Sequence, residues 1–216
     1  MNYLAHIFLS GSDPQVRLGN FIGDAVKGAA YRGYPPAMRN GILLHRAIDA
    51  YTDTHPAVRS LLHGLKPRFG RYSGMLLDIY FDYLLASRFD VFSAVPLRRF
   101  ARGFYLSMIR YRHRLPARIR RFMWHFIGTG RLGRYATEAG IRESLSIMVR
   151  VRNIDISVDE AMDYLAVHEE ELQDVFFPFF AALQAYAAAC LHELEQGSIS
   201  PGGRTVGSAR KDSLLP

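Results

Sequence analysis

Apolar residues recur at spacings of three and four along most of the chain. Alternating apolar runs joined by Asn-Gly or Asp-Gly turns do not occur. The pattern predicts an all-α fold, a single-domain helical bundle over residues 1–196. Asp13-Pro14 opens a helix, with Asp as cap and Pro at the first position, that runs to about Lys27 and stops at Gly28. Pro35-Pro36 opens a second, with Met38, Ile42, His45 and Asp49 along one side and its end within 52–56. Thr54-His55-Pro56 opens a third, reaching about Leu65. Residues 71–89 form a longer helix, apolar in body, with two embedded aspartates. Further helices fill 96–114, 116–127 and 136–150. Ser157-Val158-Asp159-Glu160 has the form of a capping box before a helix at 159–172, and a separate apolar helix through Glu195 closes the domain. From Gly197 the chain turns Gly/Ser/Pro-rich and polar, which predicts a flexible tail over 197–216.

A chain of 216 residues buries a substantial core without staples. Cys190 is the only cysteine, which excludes a disulfide framework and a Cys-based zinc site and agrees with a cytoplasmic location. The N-terminus lacks the basic and long apolar regions of a signal peptide. The most apolar stretch, 175–191, is shorter than the roughly 18–20 residues of a membrane span and contains Pro178 and Gln184, so it reads as a core helix.

Charge changes the picture. The net charge is +7, and between Val91 and Thr137 there is no Asp or Glu but there are eleven arginines, Arg110, Arg114, Arg118 and Arg121 among them. Such a segment sets up a positive field that favours an anionic partner. It also serves as a solvated helix face, or pairs with the acidic run His168-Glu169-Glu170-Glu171.

The chemistry concentrates in residues 20–82. Asp24 sits in an otherwise apolar helical stretch, His45 and Asp49 are four apart on one helix face, and Asp78 and Asp82 form a second such pair. Burying an ionised Asp unpaired costs several kcal/mol, and two on one face repel. A divalent cation removes both problems, and it can activate water and bind a phosphoryl oxygen. Plainer readings stand beside this one. His45 with Asp49 is also an ordinary surface pair, Asp78 and Asp82 also suit arginine partners, and Asp24 also caps a helix or pairs with Lys27. His6 also reads as a packed histidine, and His55 as the start of a helix.

Met1-Asn2-Tyr3-Leu4-Ala5-His6, Gly19-Asn20 before Gly23-Asp24, His45-Arg46-Ala47-Ile48-Asp49 followed by Thr52-Asp53, and Leu77-Asp78 with Asp82 resemble the acyl carrier protein phosphodiesterase family. That family is similar to a divergent branch of the HD-type metal-dependent phosphohydrolases. The resemblance is strongest over 1–90 and weaker through 143–184. It implies a divergent HD-domain-like fold and hydrolysis of the phosphodiester joining 4′-phosphopantetheine to a serine of holo-acyl carrier protein, with manganese as the metal. It implies metal and catalytic roles for Asp24, His45, Asp49, Asp78 and Asp82, and supporting roles for His6, Asn20 and Asp53. Family members often carry His after the aspartate that matches Asp82, where this chain has Tyr83, and there is no adjacent His-Asp dipeptide. Acyl carrier proteins are small and strongly acidic, so Arg110, Arg114, Arg118 and Arg121 are the expected docking residues. An HD-type hydrolase of a nucleotide or other small phosphoester is the alternative. A nucleic-acid binder would leave the embedded aspartates unexplained, and the chain has no nucleic-acid motif.

Overall fold

The computed structural model describes residues 3–197, which form eleven α-helices, with no strand among the described residues. They are α1 (Tyr3–Phe8), α2 (Pro14–Phe21), α3 (Pro36–Thr54), α4 (Pro56–Phe69), α5 (Ser73–Ser87), α6 (Phe89–Phe92), α7 (Leu97–Arg110), α8 (Ala117–Gly128), α9 (Arg131–Arg134), α10 (Glu138–Arg152) and α11 (Val158–Glu195). The fold is all-α, a single domain, and its buried apolar side chains form one cluster running from Leu4 to Leu194. The segment expected as a tail, apart from Gly197, lies outside the described residues.

Helix starts follow the predicted punctuation. The Asp13 carboxylate accepts from the Gln15 and Val16 amides while Pro14 takes the first position of α2. Pro36 and Pro56 take the first positions of α3 and α4, which have no side-chain cap. The Ser157 hydroxyl accepts from the Glu160 amide at the start of α11, but the Glu160 carboxylate turns away to Arg68 at 2.7 Å, tying α11 to α4. Thus only half of the capping box forms.

α2 and α3 cross in direct backbone contact. A Cβ on Gly19 would lie 2.0 Å from the Met38 carbonyl oxygen, and one on Gly41 would lie 2.1 Å from that of Val16. Glycine is required at both positions for this approach. α5 is buried on nearly every side, as a helix apolar all round must be.

Several elements differ from the pattern. α2 stops at Phe21 rather than Lys27, and Asp24 lies in a 3-10 turn, Gly23–Ala25. The short helices α1, α6 and α9 have no counterpart in the pattern. The two helices expected before and after Leu172 are one, α11, because no stop signal separates them; the change in composition reflects a change in surroundings. Pro178 is accommodated inside it. Among the described residues α11 is the one helix long and apolar enough to cross a membrane. Its buried positions, from Ala161 through Leu172, Phe176, Phe179, Phe180 and Leu183 to Leu194, form a stripe at helical spacing that packs against α3, α4, α5 and α10.

Candidate metal centre

α3 projects His45 and Asp49 from one face, four residues apart, toward α1. α1 brings His6 to the same place, and the two imidazole rings stack with centroids 4.1 Å apart. Asp49 lies between them, Oδ1 at 3.2 Å from His6 Nε2 and Oδ2 at 3.1 Å from His45 Nε2. Donor atoms of His6, His45 and Asp49 all fall within 4.8 Å of one another. Both histidines are buried and Asp49 is half-buried, so the group opens to solvent on one side.

A closed ring of hydrogen bonds sets the proton of His6. The Ser10 hydroxyl donates to the His6 carbonyl at 2.7 Å. Ser10 Oγ therefore accepts from Asn20 Nδ2 at 2.8 Å, and Asn20 Oδ1 is left facing His6 Nδ1 at 2.8 Å. An amide oxygen only accepts, so Nδ1 carries the proton and Nε2 presents a lone pair. All three residues are buried.

That lone pair meets a carboxylate oxygen, and the 3.2 Å contact lacks the alignment of a hydrogen bond. His45 Nε2 is likewise buried and close to Asp49 without hydrogen-bond alignment. Two acceptors face to face at such a distance are complementary to a cation. Two imidazoles with a carboxylate fit a divalent metal of the manganese, iron or zinc kind better than calcium. The second-layer contact from His6 Nδ1 is of the type that orients metal-binding histidines.

Electrostatics agree. Burial lowers the His6 pKa to about 4 despite the pull of Asp49, so this imidazole is neutral. Burial works against a charge on His45 too, but Asp24 and Asp49 outweigh it and raise its pKa to about 9. Burial also acts to raise Asp49, yet His45 and His6 hold its carboxyl well below the usual range. A protonated His45 thus occupies the place of positive charge that a metal would take.

Asp24 lies at the rim. Its side chain is 82% exposed, 3.7 Å from His45 Nε2 and 3.8 Å from Lys27 Nζ, and His45 holds its carboxyl below the usual range. It is therefore not inside an apolar helix, as the sequence pattern had it. The reason is Gly23: a Cβ there would be 2.3 Å from His45 Cγ, so only glycine lets the turn lie against the ring. Arg46 donates to the carbonyls of Val26 and Gly28 at 3.0 and 2.8 Å and lies over the Tyr31 ring, which ties this turn to α3.

The α5 aspartates part company. Asp82 is fully buried, and its two oxygens accept from the Ala5 and Leu4 amides at 3.0 and 2.9 Å. It is committed to the unpaired N–H groups that open α1, and it stands outside the His6–His45–Asp49 group. Its i, i+4 partner Asp78 is half-buried; burial raises its pKa, and Asp49 and Asp53 raise it further, so it lies within electrostatic reach of α3. Asp53 is exposed. The Tyr83 hydroxyl donates to Glu169 of α11 at 3.3 Å and makes no hydrogen bond to the His6–His45–Asp49 group.

Three participants were not legible or were underrated. Ser10 has no motif around it, and its only trace is the four-residue spacing to His6. Gly23 lies inside the helix that the pattern carries to about Lys27, and its role shows only once His45 is seen against it. His6 reads as support from sequence, yet it stands with His45 and Asp49 at the centre.

A family model described as acyl carrier protein phosphodiesterase matches residues 1–183. The acyl carrier protein phosphodiesterase of Yersinia pestis is 28% identical over 190 residues, covering 87% of this chain and 97% of its own length. That of Salmonella agona (strain SL483) is 28% identical over 190 residues, with 87% and 98% covered. No solved structure gives a significant match. The matched residues span every helix that builds the His6–His45–Asp49 centre, and the chain belongs to the acyl carrier protein phosphodiesterase family.

Proposed function

We propose that this chain is a cytoplasmic, metal-dependent hydrolase that cleaves the phosphodiester of holo-acyl carrier protein into apo-acyl carrier protein and 4′-phosphopantetheine. The observation that carries the reading is the oriented, hydrogen-bond-orphaned Nε2 of His6 beside Asp49 and His45. The family of the chain supplies the substrate. His6, His45 and Asp49 would hold the divalent ion, and we assign manganese from the carboxylates Asp24 and Asp49 that accompany the imidazoles. When bound, the ion supplies Lewis-acid polarisation of the phosphoryl oxygen and a more acidic water.

The chain's own residues do the rest. Asn20 keeps the His6 proton on Nδ1. Asp24, exposed at the rim and ionised, accepts a proton from the attacking water at its carboxylate. Asp78, whose carboxyl burial raises, delivers a proton to the departing serine oxygen. Arg110, Arg114, Arg118 and Arg121 are exposed and form no ion pair among the described residues, and they dock the acidic carrier. The acidic run does not neutralise them: Glu169 engages Tyr83 and Gln173, and Glu171 engages His168.

The test pairs metal analysis with mass spectrometry. Holo-carrier protein incubated with metal-loaded enzyme loses the phosphopantetheine mass, and a chelator stops the loss. Holo-carrier left intact while a small phosphoester is turned over would replace this reading with the small-substrate one.

A further inference from the structure

α8 presents an unusual outer face. Trp124 is 60% exposed, and Arg120 and Arg121, one turn before it, are exposed beside it. Neither arginine has an ionic partner among the described residues. α7 repeats the pattern, with Leu106 58% exposed and exposed Arg102 and Arg110 a turn to either side. A lone exposed apolar side chain needs no explanation. A tryptophan framed by unpaired arginines in a segment without any acid does, because Trp and Arg are the residue types that dominate protein–protein hot spots.

The location adds a second argument. The inner face of α8 packs on the segments that carry the metal centre. Phe122 and Phe126 contact Tyr3, one turn before His6, and Phe21, beside Asn20. Hydrolysis at the serine end of the phosphopantetheine arm brings the carrier's own surface, not merely the arm, up to that centre. The surface that receives the carrier must therefore adjoin it.

We propose that Trp124, with Arg120 and Arg121 around it, anchors the acidic carrier protein on the outer face of α8. The arginines steer and pair with carboxylates, while the indole supplies buried apolar area at low entropic cost. The proposal rests on the carrier protein being the substrate, and the experiment separates the two.

Trp124 is the only tryptophan in the chain, so its emission reports on this spot alone. Titrating the full chain with a tryptophan-free apo-carrier protein is expected to shift that emission to the blue in a saturable manner, and added salt is expected to weaken the affinity. Trp124→Ala is expected to lower kcat/KM on holo-carrier about 30-fold, the size of a hot-spot truncation, and Trp124→Phe to recover most of it. Turnover of bis(4-nitrophenyl) phosphate is measured alongside for each variant. Cleavage of holo-carrier at the wild-type rate by Trp124→Ala, with emission unmoved by apo-carrier, would overturn the docking site and leave the substrate assignment standing. Equal losses on both substrates would overturn it as well, since they would mean that Trp124 serves the fold. A DNA oligonucleotide that shifts the emission as strongly at the same salt would show a general polyanion surface and overturn it too. No cleavage of holo-carrier by the wild type would instead remove the substrate reading.

Discussion

Replacing Ser10 by alanine opens the ring of hydrogen bonds behind His6. Two bonds go, the 2.7 Å donation to the His6 carbonyl and the 2.8 Å acceptance from Asn20. Asn20 is fully buried, so its amide N–H is left without water or partner, which costs roughly 1–3 kcal/mol of stability. The second effect is chemical. Without Ser10 nothing distinguishes the two ends of the Asn20 amide, and a flipped amide donates to His6 Nδ1, moves the ring proton to Nε2 and covers the lone pair offered to the metal. Loss of such an outer contact lowers metal affinity by about 10–100-fold. The assay has three readings on metal-free protein: urea unfolding, calorimetric manganese titration, and the ¹⁵N shifts of the His6 imidazole. Wild type is expected to show the proton on Nδ1, and Ser10→Ala a mixture, with Ser10→Thr close to wild type. Wild-type manganese affinity in a Ser10→Ala protein that has lost stability would refute the reasoning, as would a proton on Nε2 in the wild type.

Asp82→Asn separates the helix-holding role from metal binding. Burial raises the Asp82 pKa to about 7 from an ordinary 3.8, so its protonated form contributes stability that is complete below about pH 4 and lost as pH rises through 7. Relative to Asp82→Asn, the wild type should lose about 4 kcal/mol between pH 4 and pH 8 in urea melts, at about 1.4 kcal/mol per pH unit, with manganese affinity of the variant largely kept. Gly23→Ala places a methyl 2.3 Å from His45 Cγ, so the ring must move; metal affinity should fall more than tenfold while stability drops by about 1–3 kcal/mol, read by calorimetry and melting. Metal binding must displace the His45 proton, whose pKa stands at about 9, so affinity should rise nearly tenfold per pH unit from 6 to 8 and level off above 9. Titration in buffers of differing ionisation enthalpy should count about one proton released, and pH-independent affinity would contradict the assignment.

The helices were legible wherever a local signal governs them: prolines and caps placed the starts of α2, α3, α4 and α11 to within a few residues. The i, i+4 spacing brings His45 and Asp49 together because both belong to one helix. The same spacing does not decide what Asp82 touches, since its partners are the amides of the opening turn of α1, 78 residues away in sequence for Leu4. Asp24 misled because a helix was extended through Gly23, and the ring that occupies the space there belongs to another element. Ser10 stayed invisible since its role exists only after α1 and α2 have brought His6 and Asn20 within reach.

The continuity of α11 has a consequence for how the protein is made. Every donor of the candidate metal centre, with Ser10 and Asn20 behind it, lies within the first 49 residues, yet α3, besides packing on α2, packs against the last of the described helices, Val158–Glu195. At ordinary translation rates roughly 10–30 s pass between synthesis of Asp49 and completion of that helix. Through this interval α2 already lies on α3, but the apolar face of α3 that α11 covers is open, which is surface of the kind that holding chaperones bind. A chain that loses α11 keeps the complete candidate ligand set but loses the part of the packing on α3 that α11 supplies.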